Sequence, residues 1–216
     1  MKVQRPTIVT VSGFSSNVGK SALVCELLQR LAGWEAIKVT RGHYRSCGRD
    51  PNGCCVSDLL KDEPVIRSGR AANYESGKDT GMFWDAGAAN VHWVIVKDGQ
   101  MEQGIREALA RVEAPGVVIE GNSFVKYVEP DLLLMCARSS GGKIKSSARR
   151  ALLKTHFLYL SSLTNGSARA LEEFAHWRAS LPNDLHLRDL PLITRDDLAK
   201  VISQLQERVL KVNFAP

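Results

Sequence analysis

The residues whose types and spacing point to chemistry begin near the amino end. Thr7-Ile8-Val9-Thr10-Val11 is a short β-rich run, Ser12-Gly13-Phe14-Ser15-Ser16-Asn17-Val18 follows as a Gly/Ser loop, and Gly19-Lys20-Ser21 opens a helical pattern carrying Leu23, Leu27, Leu28 and Leu31 on one face. A strand, a small-residue loop and a helix start, in that order, aim backbone N–H groups into one concavity that holds phosphate oxygens. Gly19 lets the backbone approach the phosphates, Lys20 neutralises the β- and γ-phosphates, and the Ser21 hydroxyl supplies a hard ligand for Mg²⁺. Gly13, Asn17, Val18, Gly19, Lys20, Ser21 and Ala22 are the expected nucleotide-binding residues. The usual motif has four residues between its glycines. Here five separate Gly13 from Gly19, and Phe14 takes the ordinary first-glycine position.

A triphosphate with Mg²⁺ also needs carboxylates. Glu120 ends the apolar run Val117–Ile119 and precedes Gly121, which puts its carboxylate at the carboxyl edge of a buried strand. Asp79, in Lys78-Asp79-Thr80, is the second acid. Lys38 closes a second β-rich run, Glu35–Val39, with Arg41 and His43 just beyond. The expected metal set is therefore Ser21, Asp79 and Glu120, and the expected catalytic cation of the loop is Lys20.

These residues need a sheet to gather them. Strand-like runs at Thr7–Val11, Glu35–Val39, His92–Val96, Val117–Glu120, Leu132–Ala137, Phe157–Leu160 and Pro191–Ile193 alternate with helical patterns at Gly19–Ala32, Gln100–Val112 and Ser167–Arg178. A last helix follows Thr194, with Asp196 and Asp197 in its first turn. Alternation of this kind predicts an α/β fold, a three-layer P-loop NTPase with a mainly parallel central sheet and ligands at its carboxyl edge. No linker or repeat divides residues 1–216, so a single nucleotide-binding domain is expected. Its substrate side is an irregular, polar segment at about 40–80, with a short helix near Val56–Lys61.

Composition narrows the partners. The 216 residues carry 29 Lys and Arg against 23 Asp and Glu, a net charge of +6, yet aromatics are only 6% and the basic residues are scattered. That favours a small anion, a nucleotide or an anionic second substrate, over nucleic acid. One basic run, Lys143–Arg150 with Arg138 before it, reads either as a phosphate clamp or as a solvated helix face. The longest purely apolar stretch is Leu132 to Ala137, whereas a bilayer span needs about 18 residues. The apolar residues behind the basic amino end are too few for a signal-peptide core. A cytoplasmic protein without a membrane partner is expected.

The loop spacing with Val18-Gly19-Lys20-Ser21 resembles the G-x-x-x-x-V-G-K-T motif of dethiobiotin synthetases. Other stretches are similar to the MobB family of molybdopterin guanine dinucleotide biosynthesis: Gly77-Lys78-Asp79-Thr80 followed by Ala86-Gly87-Ala88, then Ile37-Lys38, Val118-Ile119-Glu120-Gly121 and Leu192–Asp197. The chain departs from MobB at Met82 and Phe83, at Asn122 and Ser123, and in the spacing of Lys38 from His43. The resemblance implies Mg²⁺ with GTP or ATP, slow hydrolysis, Lys38 facing the γ-phosphate or substrate as a second catalytic cation, a pterin as second substrate, and a homodimer. The dethiobiotin synthetase side implies instead an ATP-dependent small-molecule kinase or ligase. No guanine signature of the Asn-Lys-x-Asp kind is present to separate GTP from ATP.

Five cysteines argue against a disulfide framework. Cys25 and Cys136 lie in apolar segments and are expected in the core. His43, Cys47, Cys54 and Cys55 share one loop and have three readings: a soft-metal site, an active-site thiol, or simple packing.

Overall fold

The structure, a computed structural model, describes residues 5–42, 56–161, 167–181 and 187–213. Its strands are β1 (Thr7–Gly13), β2 (Glu35–Arg41), β3 (Val65–Ser68), β4 (Val91–Val96), β5 (Gly116–Glu120), β6 (Leu132–Ala137), β7 (Phe157–Leu160) and β8 (Leu192–Ile193). Every residue of β1, β5 and β6 is buried, as apolar runs covered on both faces require. The helices are α1 (Lys20–Arg30), α2 (Arg70–Asn73), α3 (Asp79–Asp85), α4 (Met101–Leu109), α5 (Ser146–Leu152), α6 (Ser167–Ala179) and α7 (Leu198–Asn213).

The eight strands form one sheet in the order β3-β4-β2-β5-β1-β6-β7-β8. All neighbours are parallel except the edge pair β3 and β4. One face buries Leu23, Leu27 and Leu28 of α1, Phe83 of α3, and Leu198, Val201 and Leu205 of α7. The other buries Met101 and Ile105 of α4, Ala148 and Leu152 of α5, and Phe174 of α6. The result is a three-layer α/β fold with a mainly parallel sheet. The chain leaves β1 toward β2 on one side, returns to insert β5 beside β1, then crosses to β6 on the other. That reversal opens a crevice at the carboxyl ends of β1, β5 and β6.

Several local expectations shift in detail. The short helix near Val56–Lys61 is a 3₁₀ turn over Ser57–Leu59. The polar stretch before residue 80 also contains β3, α2 and the start of α3. Thr194 caps a 3₁₀ turn, Arg195–Asp197, through a reciprocal box with Asp197, and α7 begins after it.

The amino edge of the sheet carries a buried polar relay. On the α4 side, His92 at the start of β4 lies 2.8 Å from the Ser68 hydroxyl through Nδ1 and 2.7 Å from Glu35 through Nε2. The other Glu35 oxygen accepts the backbone N–H groups of Glu113 and Ala114, each at 3.0 Å. Glu35 and His92 are 4% and 1% exposed. The relay ties β2, β3, β4 and the entry to β5 together, and every partner it needs is protein.

Candidate functional site

The loop from β1 to α1 turns tightly enough to require its glycines. Asn17 and Gly19 both take left-handed backbone conformations, at φ 57° and 84°. A Cβ on Gly13 would sit 2.6 Å from Val18 Cγ2, and one on Gly19 would sit 2.7 Å from Ser161 Cβ. α1 then starts at Lys20 with no side-chain cap. Its first N–H groups face the loop concavity, where an anion can satisfy them. Lys20 folds back so that Nζ donates to the Ser15 carbonyl at 3.2 Å.

Neighbouring strand ends brace this loop. The Asn122 amide bonds both sides of Gly13, accepting its N–H at 2.9 Å and donating to its carbonyl at 2.8 Å. Ser12 Oγ donates to the Gly121 carbonyl at 2.8 Å. From the basic run, Arg138 donates to the Asn17 carbonyl at 3.0 Å and Lys145 Nζ meets Ser16 Oγ at 2.8 Å. Phe14, where a glycine is usual, is 2% exposed and packs against Phe174 and Trp177, with ring centroids 6.3 and 5.9 Å away. It anchors the loop's base in the core.

The acids gather at the same edge. Register fixes them, because Lys38 is the cross-strand partner of Glu120, and Glu120 of Val11. Lys38 Nζ lies 2.6 Å from Glu120 Oε1 and 2.5 Å from Asp79 Oδ2. Ser21 Oγ donates to the other Glu120 oxygen at 3.0 Å and is also within hydrogen-bonding reach of Asp79. The Glu120 side chain is 3% exposed, Lys38 16% and Asp79 40%, so the cluster grades from core to solvent.

Burial alone would discharge Lys38, but Glu120 and Asp79 together outweigh it and hold its pKa above the ordinary lysine value. Burial likewise opposes the Asp79 charge, yet Lys38, Ser21 and Lys20 bring its carboxyl below the usual range. Cys25, on α1, is half-buried rather than enclosed in the core as the sequence suggests. Burial first, then the charges of Glu120 and Asp79, push its thiol up to about 11. Cys136 is fully buried, and burial raises its pKa as well.

The structure thus brings Ser21, Lys38, Asp79 and Glu120 into contact, with Gly13, Asn17, Val18, Gly19, Lys20 and Ala22 at the adjoining loop. Arg41 lies outside this group and pairs with Asp98 at 3.0 Å. His43, Cys47, Cys54 and Cys55 fall outside the described residues. Among the described residues, no group of three or more His, Cys, Asp or Glu side chains is placed to hold a metal. Within the same limit, no helix is long and apolar enough to cross a membrane.

Sequence reasoning assigned no role to Asn122, nor to Trp93 and Arg67. Asn122 follows Glu120-Gly121 directly, and an amide just past a strand end is a signal that can be sought. Trp93 and Arg67 carry no such signal, because only register joins them to Lys38.

No protein-family profile matches the chain, and no curated protein matches it. Among solved structures, the chain is similar to the "apo" form of LpxK from Aquifex aeolicus in complex with ATP, at 13% identity and a TM-score of 0.47. That alignment covers 88% of this chain and 54% of the other, so the chain spans about half the length of that protein.

Proposed function

We propose that this chain binds a purine nucleoside triphosphate, ATP or GTP, with Mg²⁺ at the Gly13–Ala22 loop and acts on its γ-phosphate. The observation that carries the reading is the convergence of Asp79 and Glu120 on one positive point, Lys38 Nζ, with Ser21 bonded to Glu120, beside an uncapped helix start. Two carboxylates and a hydroxyl are hard oxygen donors, the type Mg²⁺ takes, and the two carboxylates already share a single cationic centre. Ser21, Asp79 and Glu120 would hold the ion, which would neutralise charge on the phosphate oxygens. The loop N–H groups and Lys20 orient the phosphates, and Lys38 stands ready to meet charge on the transferred phosphoryl group. No side-chain nucleophile is needed, since water or a second substrate attacks.

The MobB-like stretches around Asp79, Ala86–Ala88 and Glu120 support an accessory role in molybdenum cofactor biosynthesis with slow hydrolysis. A second reading, a small-molecule kinase or ligase, is favoured by a cavity of 480 Å³ that Lys38 and Asp79 share with Arg67 and Trp93.

Titration of wild type and Lys20→Ala with fluorescent ATP and GTP analogues tests the proposal. Among the described residues the Lys20 ammonium makes one hydrogen bond, to the Ser15 carbonyl, so the variant should fold. It should lose charged phosphate bonds of about 1.5–3 kcal/mol, tenfold or more in affinity. Equal affinity in the two proteins would sink the nucleotide reading.

A further inference from the structure

One rung of the sheet carries side chains of a single purpose. Cross-strand partners run from Glu120 on β5 to Lys38 on β2, then to Trp93 on β4 and Arg67 on β3. Partners in register project to the same face. With strands about 4.8 Å apart, Arg67 stands about 10 Å from Lys38 across the sheet. The cavity occupies this span, with Thr40, Tyr74, Glu75 and Lys78 also on its wall.

Each wall element offers a distinct contact. The Trp93 indole is pinned edge-on, its Nε1–H donating to Thr40 Oγ1 at 2.9 Å, so the ring is a fixed flat surface. The Arg67 guanidinium lies 5.8 Å from the centroid of that ring, and among the described residues no carboxylate forms a salt bridge to it. Lys78 is held only loosely, 3.9 Å from Glu75, with its side chain 65% exposed. Behind them, Asn73 spends its amide on the Arg67 and Val91 carbonyls and on the Trp84 indole N–H. It positions the wall and offers nothing to a ligand. The cavity therefore presents a rigid aromatic face, the Arg67 guanidinium two strands from Lys38, the Lys78 side chain one residue before Asp79, and the Lys38–Asp79 pair itself.

We propose that this cavity is the second-substrate subsite, and that its ligand is a small organic anion with a flat ring. The ring lies against Trp93, the anionic group meets Arg67 and Lys78, and the opposite end of the molecule reaches the Lys38–Asp79 edge of the phosphate site. A planar guanidinium fork matches a carboxylate or a phosphate equally, and both belong to this class. The volume, 480 Å³, suits a ligand of one or two fused rings. The assignment rests on the nucleotide reading above for its word "second", but the subsite itself does not use Lys20 or the Gly13–Ala22 loop.

The test is direct titration of the full chain with 2-naphthoate, a flat carboxylate, and with uncharged 2-naphthamide, followed by calorimetry. The expected result is saturable binding of naphthoate, at least about tenfold weaker for the amide and for Arg67→Gln, since a charged hydrogen-bonded contact is lost. Trp93→Leu should weaken both ligands. Lys78→Ala alters an exposed side chain, folds regardless, and should weaken naphthoate alone. Lys20→Ala should bind naphthoate as wild type does. Absence of saturable naphthoate binding, equal affinity for acid and amide, or full affinity in both Arg67→Gln and Lys78→Ala overturns the subsite. Failure of the nucleotide reading looks different: the triphosphate titration fails while the naphthoate titration remains as expected.

Discussion

β2, β3 and β4 each contribute to two polar clusters, and the residues involved are close neighbours in sequence: Glu35 and Lys38, Ser68 and Arg67, His92 and Trp93. The clusters lie on opposite faces and toward opposite ends of the same strands. At the amino edge, Glu35 receives three protein donors and is sealed at 4% exposure. At the carboxyl edge, Lys38 draws two carboxylates toward a mouth where Asp79 is 40% exposed. The residue types are alike, but the first set is satisfied internally whereas the second converges on a point that a ligand can enter. A closed circle of partners makes a fastener. A convergence open on one side makes a site.

The largest effect should come from cutting the fastener. Glu35→Ala strands two backbone N–H groups and His92 in the interior, at a cost of about 3 kcal/mol or more. Urea denaturation should show the loss, while triphosphate affinity of the folded protein changes less than about twofold. If affinity fell as steeply as stability, the two edges would be coupled and the contrast drawn here would fail.

Asn122→Ala comes next, because it touches both properties. It leaves the Gly13 N–H and carbonyl without their side-chain partner, at about 1–3 kcal/mol of stability. Triphosphate binding should weaken with it, since the loop loses its brace. A variant that melts earlier but binds normally would make Asn122 a fold residue alone.

Glu120→Gln should reverse the pattern of Glu35→Ala. An amide forfeits a charged contact to the metal, about 1.5–3 kcal/mol, so Mg²⁺ should stimulate nucleotide binding far less than in wild type. The loss of folding stability should be smaller than for Glu35→Ala. The ionised state of the pair itself should hold across neutral pH. Asp79, with its pKa lowered, keeps its pairing until pH falls below the usual carboxylate range. Lys38, with its pKa raised, keeps its own until pH rises above the usual lysine range.

The smallest effect concerns Cys25. With its thiol pushed up to about 11 by burial and by Glu120 and Asp79, only about one molecule in a thousand is thiolate at pH 8. Peptide mapping after iodoacetamide treatment at pH 8 should find Cys25 unmodified when reference thiols have reacted fully. Rapid labelling would show that Cys25 is less buried, or the carboxylates beside it less charged, than the geometry indicates.

How much of this was legible beforehand follows from the kind of signal each part leaves. β5, β6 and β7 stand out as apolar runs because burial on both faces removes polar alternation. The phosphate loop is legible because strand, glycine and lysine must be contiguous to work. β3 escaped notice because its four residues are all half-buried and sit on a sheet edge. α2 and α3 were hidden in a Gly- and Asp-rich stretch, held by long-range bonds such as Asn73 to Val91 and Thr80 to Asn73. Asp79 is legible from its Lys78-Asp79-Thr80 loop context together with the family-like stretch around it, and Cys25 lies further out than expected because its apolar neighbours say nothing of which way one helical position faces. Arg67 and Trp93 could not have been found, since an antiparallel edge strand sets their meeting and no sequence spacing encodes it.

That rung has a further implication for which changes the chain can absorb. The row from Glu120 through Lys38 and Trp93 to Arg67 is fixed by hydrogen-bond register alone. Length changes between α4 and β5 leave the row and the cavity wall intact, whereas the connection from β3 to β4 carries Asn73, Lys78 and Asp79 of that wall and lacks the same freedom. One residue inserted inside β4 is another matter. It turns Trp93 to the α4 face and brings a neighbour such as His92 or Val94 into the row, because side chains alternate strictly along a strand. Descendants of this chain can therefore drift in length between α4 and β5, while a single-codon insertion in the middle of β4 replaces the wall of the cavity at one stroke.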